Sequence, residues 1–113
     1  MQANRNLSPS GLTLDAALSL IDCIHSQVAI LDDQGQILAV NGAYTAAHGE
    51  AQVGTDYLSA CEGVAGRNEE RARFATGLRR VVRGELNCFE QGSLGRVTRV
   101  VDPQVTYLMV MAA

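Results

Sequence analysis

A chain of 113 residues, 47% of them hydrophobic, has room for one domain with a core that needs no covalent staples. Its formal charge of −3, with nine arginines and no lysine against twelve acidic residues, argues against a nucleic-acid binder. Three widely spaced cysteines, Cys23, Cys61 and Cys88, form no C-x-x-C pair, and no histidine stands at ligand spacing. Free buried thiols in a reducing compartment are expected rather than a disulfide framework or a zinc site. No basic-then-apolar leader opens the chain and no apolar run approaches the ~20 residues of a membrane helix, so a cytoplasmic location without membrane contact is expected.

Residues 1–12 are polar, carry Pro9 and show no periodicity, the pattern of a flexible tail preceding a domain over 13–113. Thr13 is placed to cap a helix from Leu14 to about His25, with Asp15 in its first turn. Its apolar positions, Leu14, Ala17, Leu18, Leu20, Ile21 and Ile24, cover a wider arc than one buried face requires. Val28 to Asp32 and Ile37 to Val40 read as two strands joined by an Asp/Gly turn. Asn41 then caps a short helix that Gly49 ends, and Thr55 or Asp56 caps another through Cys61. The clearest helix runs from Glu69 to Arg83. Asn68 is its cap, Phe74, Leu78, Val81 and Val82 form its apolar stripe, and Arg79, Arg80 and Arg83 lie in its last turn. Three strands follow, Leu86 to Glu90, Arg96 to Val101 and Val105 to Ala112, with a turn at Asp102-Pro103. The expected class is α+β: a five-stranded antiparallel sheet with helices on one face and an N-terminal flanking helix.

The hairpin-to-helix junction carries the most information. Gly35 supplies the positive φ of the turn, Asp32 and Asp33 are placed to hold turn amides, and Asn41 caps the next helix and tethers the loop beside it. The spacing D-x-x-G-x-I-x-x-x-N over 32–41 resembles the opening of a PAS domain. The stretch Val53-Gly54-Thr55-Asp56-Tyr57-Leu58-Ser59-Ala60-Cys61 is similar to a V-G-x-x-Y-L-x-x-C pattern of bacterial PAS modules. The resemblance extends over Leu14 to Ala112, is weakest over Gln91 to Asp102, and takes Phe74 to Val82 as the long helix facing the sheet. It implies a PAS-like sensory fold and a cytoplasmic signalling role within a larger bacterial protein. Output would then lie in a module beyond Ala113, such as a histidine kinase or a transcription regulator.

Under that resemblance, a cavity is expected between the helices and the sheet, with Tyr44, Tyr57, Cys61, Phe74, Leu78, Cys88, Phe89, Tyr107 and Met109 as candidate walls. The same residues also read as plain core filling. PAS domains with haem often take a histidine from the long helix, which here has none. The reactive cysteine segment of light-sensing flavin domains has no good counterpart, so neither haem nor covalent flavin is expected and the cofactor stays open. Arg73 and Arg79 are expected to face water and Arg96 and Arg99 to point outward, which favours an apolar or mildly polar ligand over a charged one. The strand Val105 to Ala112 is apolar on both faces. A homodimer is therefore expected through Leu14, Leu18, Ile21, Leu108 and Val110. No Ser-His-Asp or Cys-His set, phosphate loop or carboxylate pair is present to propose an enzyme. Two classes remain: a ligand-binding sensor and a ligand-free dimerisation scaffold.

Overall fold

The computed structural model describes residues 13–50, 53–66, 68–101 and 105–112; the expected tail and the Asp102-Pro103 turn lie outside them. Its strands are β1 (Gln27–Asp32), β2 (Ile37–Val40), β3 (Cys88–Gln91), β4 (Gly95–Val101) and β5 (Thr106–Ala112). Its helices are α1 (Leu14–Leu20), α2 (Gly42–His48), α3 (Tyr57–Ala65) and α4 (Glu69–Val82). The strands form one sheet in the order β2-β1-β5-β4-β3, each neighbouring pair antiparallel. The α+β class with five antiparallel strands is therefore as the sequence predicts.

Local chemistry accounts for most boundaries. In the β1–β2 turn, the Gln34 and Gln36 amides both donate to Asp32 Oδ1 at 2.9 Å, and Gly35 adopts φ 91°. The segment after α2 then lies along this hairpin: Ile37 N donates to Thr55 O at 2.9 Å and Tyr57 N to Gly35 O at 2.9 Å. Asp56 caps α3, its carboxylate accepting from the Ser59 amide and hydroxyl. These bonds hold its carboxyl below the ordinary value of 3.8. Asn68 caps α4 by accepting from the Arg71 amide at 2.8 Å.

α3 runs on to Ala65 and β3 starts at Cys88, small departures from expectation; the larger one is at α1. α1 stops at Leu20, a 3₁₀ turn covers Ile21–Cys23, and Ile24 is extended at φ −95°, ψ 130°. The cause is Asn41, a buried side chain whose Nδ2 donates to the carbonyls of Ile21, Ile24 and Ser26 at 2.8–3.1 Å. The Ile24 and Ser26 carbonyls turn toward Asn41, while the Ile21 carbonyl is shared between Asn41 and the last 3₁₀ bond, from Ile24 N at 3.1 Å.

Both faces of the sheet are covered. On one, α4 lays Phe74, Leu78 and Val81 over Ala29, Leu31, Val97, Leu108 and Val110. On the other, Ala17 and Ile21 pack on Val28, Ile30, Val100 and Tyr107, with Leu14, Ile24, Met109 and Met111 at the edge. The β1–β5–β4 register decides which residue goes where. It corrects three expectations. Tyr107 and Met109 belong to the α1 face and do not wall a cavity under α4. Leu108 and Val110 belong to the α4 face and cannot share an interface with Leu14 and Leu18. Cys88 pairs with Thr98, its Sγ lies 3.9 Å from the Thr98 hydroxyl, and it is exposed away from α4; Cys23 is exposed too, so neither is the buried thiol expected.

Arg99 is a fourth correction. Arg96 and Arg99 stand three residues apart on one strand, so they face opposite ways. Arg96 is exposed and pairs with Glu90 at 3.1 Å. Arg99 turns under α4, where its Nη1 donates to Val81 O at 3.0 Å and to Val82 O at 3.4 Å. A cation there satisfies the terminal carbonyls and the negative end of the helix dipole.

Candidate functional site

Where α2, α3 and the start of α4 meet the sheet, their packing leaves a cavity of about 230 Å³. Short helices explain the gap. α2 has no buried residue: Tyr44 rests on the core only at its edge, and His48 is exposed. α3 and α4 are joined by Arg79, whose guanidinium binds the Glu62 carboxylate, with Nε donating at 2.7 Å. Arg79 therefore clamps helix to helix, where the sequence reading had it facing water.

The cavity has an apolar floor and a polar wall. Phe74 from α4, Leu94 from the turn before β4, and Val110 and Ala112 from β5 make the floor. Tyr44 and His48 from α2, Tyr57 and Cys61 from α3, Gln27 from β1 and Arg71 from α4 make the wall. The Tyr44 and His48 rings lie 4.5 Å apart at 41°, and His48 Nε2 is 2.7 Å from Gln27 Oε1. A hydrogen bond there fixes the imidazole against the first residue of β1.

Of the nine cavity candidates, the structure brings together Tyr44, Tyr57, Cys61 and Phe74. Leu78 is fully buried in the same core and Phe89, half-buried, packs against it; neither lines the space. Phe89 stacks on α4 at Gly77, where any Cβ would collide with its ring, and meets Phe74 edge-on at 6.2 Å and 59°. Cys88, Tyr107 and Met109 lie on the far face, as described. The sequence reading missed Gln27, His48, Arg71, Leu94 and Ala112, and it had placed Val110 at a dimer interface.

Within the wall, Tyr44, Tyr57 and Cys61 are held in their protonated forms beside the Arg71 guanidinium. Burial pushes the Tyr57 hydroxyl well above the ordinary phenol value, reinforced by neighbouring Cys61 and Tyr44, while Arg71 pulls the other way. Burial likewise pushes up the Cys61 thiol, against its hydrogen bond with Tyr57 and the Arg71 charge. Tyr44 is raised by burial and then by Cys61. At neutral pH all three keep their protons. A protonated thiol is a poor nucleophile, so Cys61 serves here as lining.

No protein-family model matches the chain, and no curated protein matches it. The site must be read from its own geometry. A half-apolar recess with a few convergent polar groups is the usual form of a small-molecule site, though at about 230 Å³ this one lies below the common range of about 300–1,000 Å³. On the opposite face, α1 leaves Leu18 at 38% and Leu20 at 52% exposed. Among the described residues, no three His, Cys, Asp or Glu side chains cluster as a metal site would, and no helix is long and apolar enough to cross a membrane.

Proposed function

We propose that this chain is a PAS-like sensory module of a larger bacterial signalling protein, taking a small molecule in the cavity between α2, α3, α4 and the sheet. The observation that carries the reading is the cavity's position. It sits on the α4 face, directly behind the hairpin-to-helix junction, in a sheet whose opposite face carries the N-terminal helix. The order of elements supports the resemblance: a hairpin ending at Asn41, short helices, one long helix over the sheet, then three strands. The module acts by binding, not by catalysis, in the cytoplasm, with its output domain elsewhere in the parent chain.

Signal transfer would use the junction at Asn41. Its Oδ1 accepts from the Val28 amide at 2.9 Å and from the Tyr44 amide at 3.0 Å, while its Nδ2 holds the residues that follow α1. Asp22 adds a second tie, accepting from Gly42 N at 3.0 Å. A ligand that moves Tyr44 or His48 therefore acts on the α1 exit through bonds about 3 Å long. A second copy packing on exposed Leu18 and Leu20 of α1 would carry that change into a homodimer.

Mass spectrometry of small molecules released when the purified protein is denatured tests the reading. A reproducible metabolite, retained by the wild type and lost when Val110→Trp fills the cavity, is the expected result. A closed interior with no released molecule and no thermal shift across a metabolite panel would favour the second reading, a ligand-free dimerisation scaffold. The exposed leucines of α1 are consistent with that alternative as well.

A further inference from the structure

The charge of the cavity wall is more specific than its size. Arg71 is the one arginine among the described residues lining the cavity, and no Lys, Asp or Glu shares that lining. Among the described ion pairs, Arg79 binds Glu62, Arg80 binds Glu85 and Arg96 binds Glu90; none involves Arg71. Its backbone is fixed by the Asn68 cap in the first turn of a 14-residue helix, so the guanidinium is presented from a rigid base. Nearby donors are the hydroxyls of Tyr44 and Tyr57, both holding their protons. The carboxylates of Glu50 and Asp56 line the adjoining groove, on the far side of Tyr44 and Tyr57.

We infer that the cavity takes a small amphipathic monoanion, a carboxylic acid with a compact apolar body, whose head lies at Arg71 and whose body lies on Phe74, Leu94 and Val110. This rests on the sensory reading above and replaces the uncharged ligand expected from the sequence. Arg71 is exposed and therefore sits at the rim, so the head keeps part of its hydration while the apolar body enters. A planar guanidinium matches a carboxylate in a two-pronged hydrogen-bonded pair, which an ammonium does not reproduce. The acids of the adjoining groove repel the head from that side and orient it toward Arg71. A volume of about 230 Å³ is room for roughly eight waters at about 30 Å³ each, which limits the guest to a medium-chain or single-ring acid.

Calorimetric titration with octanoate, octanol and octylamine tests the inference on the wild type and on Arg71→Gln and Arg71→Lys. The wild type is expected to bind octanoate about tenfold or more tightly than octanol, and octylamine most weakly. Arg71→Gln should erase the preference for octanoate while leaving octanol affinity unchanged, and Arg71→Lys should retain part of it. Circular dichroism of both variants, expected to match the wild type, separates loss of the cation from loss of the fold. Equal binding of octanoate and octanol by the wild type, or a preference that survives Arg71→Gln, would overturn the anion assignment and leave the cavity reading standing. Failure of all three probes to bind at millimolar concentration would overturn both.

Discussion

Asn41 concentrates more structural consequence than any other side chain. Its Oδ1 accepts two hydrogen bonds, the two hydrogens of its Nδ2 are shared among three carbonyls, and the residue is 1% exposed. Removing it orphans buried backbone groups on three segments at once, each worth about 1–3 kcal/mol when left unpaired. Asn41→Ala should therefore cost at least about 2–3 kcal/mol, above the ~1 kcal/mol of an ordinary helix cap, as read from urea midpoints. A cost of only about 1 kcal/mol would mean that water replaces the lost partners. Gly77 is the second sensitive position, for the opposite reason. Gly77→Ala pushes a methyl group into the Phe89 ring and should cost about 1–3 kcal/mol despite the helix propensity of alanine. Combining it with Phe89→Leu should be less damaging than the sum of the two single changes, which a double-mutant cycle measures.

At the scale of elements, sequence patterning resolved existence better than orientation. Caps at Thr13, Asn41, Asp56 and Asn68 placed the starts of four helices where they are observed. They are local chemistry and need no tertiary information. β5 is different. Tyr107, Met109 and Met111 alternate with Leu108 and Val110, so both faces are apolar and no periodicity says which one meets α4. That single undetermined parity exchanged two cavity candidates for two interface candidates. Arg71 escaped notice because it lies off the apolar stripe of α4. A residue at the rim of a recess is polar by nature, and only the approach of α2 and α3 shows that a recess is there.

The α3–α4 wall also carries a pH signature. Cys61 and Tyr57 hold their protons above the ordinary values of 9.0 and 10.0 when folded, and release them at those values when unfolded. Their contribution to stability is thus fully present below about pH 9 and is lost as pH rises beyond it. Urea midpoints should fall between pH 9 and 11, and the fall should flatten in Cys61→Ala with Tyr57→Phe. An equally steep fall in the double variant would assign the alkaline loss to other groups.

At the scale of the whole molecule, the sheet separates two surfaces of different character. The α4 face holds the cavity, and the α1 face ends in exposed Leu18 and Leu20. If α1 is the dimer contact, Leu18→Glu with Leu20→Glu should convert a dimer at tens of micromolar into a monomer in sedimentation, with little change in thermal stability. A wild type that is already monomeric there would remove the dimer from the account. The central claim, that the recess under α2, α3 and α4 receives a small molecule, is tested most directly by an NMR titration of the labelled protein with octanoate. The account predicts amide shifts confined to the neighbourhood of Tyr44, His48, Tyr57, Arg71, Leu94 and Val110, extending to Asn41. Shifts gathered instead around Leu18 and Leu20, or no saturable shifts at all, would contradict it.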